Sequence, residues 1–203
     1  CPADWHVPTS TDIDHLMAFV ESGKGVFKAK KGWDNDANGS DVVGFSALPG
    51  GYKDKEGFKS LGTGTVWRNY SGNATYIYRI FGDDMSEDSD RDGSYAYYIR
   101  CVKNSADKEI SSSSSKVPEI ASSSSEVSTS KTTEVDCSKY SKSNWDYLNP
   151  DIEYGCILDG RDKQVYKTVV IGEDTWLAEN LNFNPGYGGS EYEPYGWSWC
   201  YEN

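Results

Sequence analysis

The stretch from residue 105 to residue 135, "SADKEISSSSSKVPEIASSSSEVSTSKTTEV", limits most strongly what this chain can fold into. It holds two pure serine runs and no aromatic residue. Such a segment cannot bury enough apolar surface to offset the entropy of ordering it. It is expected to be a flexible serine-rich linker, with a span of roughly 30 Å by random-coil scaling. Folded structure must therefore come from 1–104 and 136–203, two pieces that only the linker joins.

Both pieces carry the material for a compact core. The chain has 7 Trp, 15 Tyr and 6 Phe, and aromatic side chains bury a large area each. Few Leu and Met beside many Tyr, Trp and Gly favour short strands and loops over a helical bundle. The net charge of −12 repels phosphate backbones and anionic surfaces, so nucleic acid is not an expected partner. No apolar run reaches 18 residues, so no membrane-spanning helix is expected.

Five cysteines stand at 1, 101, 137, 156 and 200. None has the close spacing of a zinc or redox motif, and their wide spacing reads as disulfides in an oxidising compartment. The odd count, the start on Cys1 and the abrupt end after "WCYEN" suggest a piece cut from a longer exported protein.

Local patterns place the elements. Thr9 and Asp12 form a capping box, followed by Ile13, Leu16, Met17 and Val20 at helical spacing, with Gly23 as the stop. His15 lies off that face and reads as solvated, while His6 reads as packed and hydrogen-bonded. "ATYIYRIFG" and "SYAYYIRCVKN" read as strands. The acidic run Asp83–Asp92 reads as a solvated loop. Val165 to Ile171, a turn at Gly172–Glu173 and a strand through Trp176 and Leu177 make a hairpin-like unit.

"CPADWHVPTSTDIDHLMAF", "GFSALPGGYKDKEGF" and "YYIRCVKN" resemble the second half of the Fibrobacter succinogenes major paralogous domain. "DGRDKQVYKTVVIGEDTWLAENLNF" with "WCYEN" is similar to the first half of the same domain. The halves stand in inverted order, as if two tandem copies were cut so that each survives in part. This sequence departs from the family at Trp67–Tyr70, "WRNY", where a "WSST"-like stretch is usual. The family resembles C-type-lectin-like and formylglycine-generating-enzyme-like domains. The fold class it implies is α+β: lectin-like, loop-rich, with short antiparallel strands and one clear helix. It further implies a Cys1–Cys101 disulfide and a Cys137–Cys156 disulfide, stabilising by roughly 4 to 5 and 3 kcal/mol on chain-entropy grounds. Cys200 is left unpaired by the truncation. In this reading 1–104 is the C-terminal part of one module and 136–203 the N-terminal part of the next. The second piece could dock on the first as in a circular permutant; the alternative is two half-domains, each with exposed apolar surface.

Candidate chemistry is sparse. In "WDNDANGSD", Asp34, Asp36 and Asn38 ahead of Gly39 copy the opening of a calcium loop, with Asp41 as a fourth ligand. Phe45 occupies the place of the closing EF-hand glutamate, so only a lectin-type or surface-loop calcium site fits. Asx-rich turns without metal are the competing reading. Trp33, Trp67, Tyr70 and Trp197 are candidate ligand-facing aromatics, with Tyr187, Tyr192 and Tyr195 beside them; the competing reading is that they build the core. No nucleophile elbow, phosphate loop or zinc-spaced histidine pair is present, and no enzyme activity is expected. The sequence thus reads as a non-catalytic extracellular or cell-surface module binding polysaccharide or a cell-surface ligand, beside neighbouring modules. A purely architectural repeat and a degenerate enzyme-like domain are the alternatives.

Overall fold

The computed structural model describes residues 1–19, 25–71, 74–89, 95–105 and 132–183. The linker between 106 and 131 lies outside them, as do Cys200, Trp197, Tyr187, Tyr192 and Tyr195.

Among the described residues the chain is mostly strand and loop, with one α-helix and antiparallel sheets. Helix α1 (Ser10–Met17) begins at Thr9, whose side chain accepts from the Asp12 backbone while the Asp12 carboxylate accepts from the Thr9 N–H. Ile13 and Leu16 are buried and Met17 packs beside them. The helix ends at an Ala18 cap, short of the expected Gly23. Val20 and Gly23 lie outside the described residues.

The largest sheet has six strands: β1 (Trp5–His6), β7 (Val102–Lys103), β8 (Thr133–Glu134), β9 (Gly155–Leu158), β10 (Val165–Ile171) and β11 (Asp174–Leu177). Its order is β1-β7-β11-β10-β9-β8. Strands from before and after the serine-rich stretch therefore share one sheet, meeting where Val102 of β7 pairs with Trp176 of β11. We call this line the seam. The hairpin β10–β11 runs in register from Thr168–Leu177 to Ile171–Asp174, with Gly172 at φ 63° in the turn that reverses the chain. Thr133 and Glu134, at the end of the expected linker, form an edge strand on β9.

A three-stranded meander packs against this sheet. Its strands are β4 (Gly64–Ser71), β5 (Ala74–Phe81) and β6 (Asp84–Ser89). The acidic run is thus in large part an edge strand and not a loop. Met85 is its buried residue, while Asp88 pairs with Arg79 and Glu87 accepts from Ser10 and Asn69. Charges along an edge also discourage pairing with another chain. The small hairpin of β2 (Tyr52–Asp54) and β3 (Gly57–Lys59) completes the strands. In "SYAYYIRCVKN" the strand covers only Val102–Lys103, with single bridges at Ala96 and Tyr98.

Successive side chains of a strand face opposite sides of the sheet, and both sides carry buried clusters. On one side Val102, Trp176, Val169 and Ile171 join Ile13, Leu16, Phe45, Trp67 and Tyr78. On the other, Cys101, Leu177, Tyr166 and Ile157 pack with Trp5 and Leu181. Most of β10 is therefore buried on both sides, with Val165, Val169 and Ile171 facing one way and Tyr166 and Thr168 the other, while Val170 is exposed. Disulfides join Cys1 to Cys101 and Cys137 to Cys156.

Candidate functional site

Three of the four residues of the proposed calcium loop, Asp34, Asn38 and Asp41, have separate neighbours, and Asp36 is exposed. Asp34–Asp36 form a short, exposed 3₁₀ turn, and the Asp34 carboxylate packs against Gly62. The Asn38 carbonyl accepts from the Trp33 backbone N–H at 3.0 Å. Asp41 is fully buried and accepts from the Ser46 N–H at 2.7 Å and its hydroxyl at 2.6 Å. Among the described residues no group of three or more His, Cys, Asp or Glu stands close enough to hold a metal ion. Asn35, Asp36 and Asp41 take left-handed backbone, at φ 55°, 57° and 49°.

Two of the candidate ligand-facing aromatics are core residues. Trp33 is 5% exposed; its indole donates to Ala47 O and the Lys28 ammonium lies 4.2 Å above its ring. Trp67 is fully buried, stacked on Tyr78 at 5.1 Å and edge-on to Phe45. Both are corrected to structural roles, because their bridging contacts come from strands and loops distant in sequence. Tyr70 is 44% exposed. A surface group that the sequence reading missed is Tyr52, Tyr95 and Tyr97, whose rings lie 6.0 to 6.3 Å apart. Arg68 lies over the Tyr97 ring.

Near the seam runs a polar network that could be taken for a catalytic row. The Ser46 hydroxyl lies 2.6 Å from Asp41 and 3.0 Å from the Tyr154 hydroxyl, and Asn149 donates to Asp41 O. Burial pushes the Asp41 carboxyl up to about 6, only partly opposed by Ser46 and by the Arg100 charge. Asp41 and Ser46 are both 0% exposed, and the half-buried Tyr154 is the member of this row that lines the cleft beside β10. Arg100 is buried among aromatics, with its guanidinium 4.3 Å from the Phe45 ring centre. It donates to Phe45 O and to the Asn180 carbonyl, which also accepts from the Trp67 indole at 2.7 Å.

His15 is not merely solvated, since Nδ1 meets Asp174 at 2.9 Å across the seam. His6 bridges Asp12 and Asn104, tying the helix cap to the end of β7.

The open concave feature is a cleft of about 750 Å³. It follows the free part of β10: β9 pairs with that strand only as far as Thr168–Gly155. Among the described residues no strand flanks Val169–Ile171 on that side, and Ile152–Tyr154 face them across the gap. Val170 is 68% exposed and Val42 50%. Polar groups at the rim are Thr168, Thr175, Glu153 and the Lys103–Glu134 ion pair at 2.6 Å. That pair holds the Glu134 carboxyl below its ordinary value, chiefly through the hydrogen bond from Lys103. Trp5, Val42 and Lys103 precede the serine-rich stretch and the other wall follows it, so the cleft exists only when both pieces are together. Clefts mixing apolar walls with a few polar groups are the usual form of a ligand site.

No family model, no curated protein and no solved structure matches this chain.

Proposed function

We propose that this chain is a non-catalytic exported module that binds a polysaccharide or cell-surface ligand in the cleft beside β10. The observation that carries the reading is the cleft: 750 Å³ of open concavity, an exposed apolar centre at Val170 and a hydrogen-bonding rim. Sugar rings offer apolar faces edged by hydroxyls, which suits such a lining. Two disulfides fit an oxidising compartment, and no helix among the described residues is long and apolar enough to cross a membrane. The lectin-like fold and the tandem-module origin belong to the same proposal and rest on the sequence resemblance. A calcium-assisted site remains part of the test below.

One observation favours the architectural alternative. Trp33 and Trp67, the tryptophans best placed in sequence to meet a ligand, are in the core. The two readings separate in a glycan array and an insoluble-cellulose pull-down, each run with and without a calcium chelator. Retention by wild type and its loss in Val170→Arg is the expected result. Retention by neither protein under either condition leaves the architectural repeat.

A further inference from the structure

We infer that the seam is a donor–acceptor interface that forms between separate chains as well as within one. The 132–183 segment of one copy can then complete the 1–105 segment of a second copy.

Three features carry this. First, the pieces share one core and not two abutting surfaces. Trp176 and Ile171 lie in the same buried cluster as Phe45 and Trp67. Interfaces that resemble a domain core cut in half are those of obligate partners. Buried polar pairs add register: Asn180 accepts from Trp67 and Arg100, and Asn149 donates to Asp41 O. Left apart, each piece would expose its half of the core to water and give up these specific pairings.

Second, neither disulfide crosses the seam. Cys1–Cys101 closes within the first piece and Cys137–Cys156 within the second. Among the described residues the pieces are held together by non-covalent contacts alone.

Third, the connection is longer than closure requires. Lys103 and Glu134, two residues from either described end, meet at 2.6 Å. A few residues would join those ends. The 26 residues from 106 to 131 can span roughly 90 Å at full stretch. That reach lets the second piece close on its own copy, which dilution favours, or engage a neighbouring copy as protein concentration rises. Because the cleft is walled by both pieces, an exchanged pair would build each cleft from two chains.

The test uses the full chain with a site-specific protease sequence replacing residues 116–122, cut without reductant; the uncut variant, eluting as wild type, is the control. The expected result on a sizing column and by native mass spectrometry is one particle holding both pieces. Separation of the pieces after cutting would overturn the proposal. Cut proteins of light and heavy isotope content are then mixed, unfolded in urea without reductant and refolded together. Mixed-label particles in the proportion of random pairing are expected. Pieces that fail to re-form a particle on refolding would overturn exchange even if the cut protein had held together.

Discussion

Asp12 and Asp41 are equally buried carboxylates that titrate in opposite directions. Asp12, at the start of α1, is 1% exposed and Asp41, beside the seam, is 0% exposed. Burial pushes both upward, yet Asp12 ends well below the ordinary carboxylate range. It accepts from the Thr9 N–H, the Thr9 hydroxyl and the His6 ring, and it sits in the first turn of a helix, where negative charge is favoured. Among the described residues the Asp41 carboxylate accepts from Ser46 alone, and it rises to about 6. Depth alone therefore does not decide whether a buried acid is charged. The number and charge of its donors do.

The hardest blow to this contrast is removal of Arg100, the cation that favours the charged form of Asp41. Arg100→Ala deletes a buried side chain lying over Phe45 and Trp67, removes the donor to Phe45 O and leaves the Asn180 carbonyl with the Trp67 indole. The expected loss is about 3–5 kcal/mol in urea unfolding, as for breaking a buried charged network. The Asp41 carboxyl should climb further. A loss below about 1 kcal/mol would mean that Arg100 is a passenger in the core.

Asp12→Ala comes next. It removes the capping-box acceptor and leaves the Thr9 N–H and the His6 ring short of a partner, for about 3 kcal/mol at neutral pH. The depressed acid also sets a pH window. Its contribution is present above the ordinary aspartate value near 4 and is lost as pH falls below it. Thermal melts of wild type should therefore show an acid limb below about pH 4 that Asp12→Ala blunts.

Asp41 has the opposite sign. Its folded value is raised from 3.8 to about 6, so its contribution is complete below the lower value and is lost as pH rises through the upper one. Wild type should weaken by of order 2 kcal/mol between pH 4 and pH 7 from this group. Asp41→Asn keeps the size and an acceptor for Ser46 but does not titrate. The difference between the two melting profiles isolates Asp41 from the histidines, and parallel profiles would show that Asp41 is charged throughout.

How much of this was legible beforehand follows sequence distance. The Thr9–Asp12 box and the β10–β11 hairpin are readable because their partners lie three to nine residues apart and obey local periodicity. The acidic strand β6 was not, because its charges mask the period of two and Met85 alone marks the inward face. Residue type does not separate a sugar platform from a core at Trp33 and Trp67; only their contacts with Ala47 and Asn180 do that. Asp41 looked like a metal ligand for the same reason. Its neighbour Ser46 also bonds Tyr154, 108 positions away, and no local signal announces such a partner. The disulfide pairs were suggested by family resemblance, since spacing among five cysteines selects none.

The smallest effect probes whether a half-buried carboxylate at the seam, paired with an exposed histidine, behaves like either buried one. Asp174 meets His15 at 2.9 Å, but the His15 side chain is 47% exposed, so water screens the pair and competes for both partners. His15→Ala should cost no more than about 0.5 kcal/mol, falling toward zero in high salt. A much larger and salt-resistant cost would mean that the pair fixes the angle at which α1 meets β11. In that case the seam would be held at its rim as well as through Asn180 and Asn149.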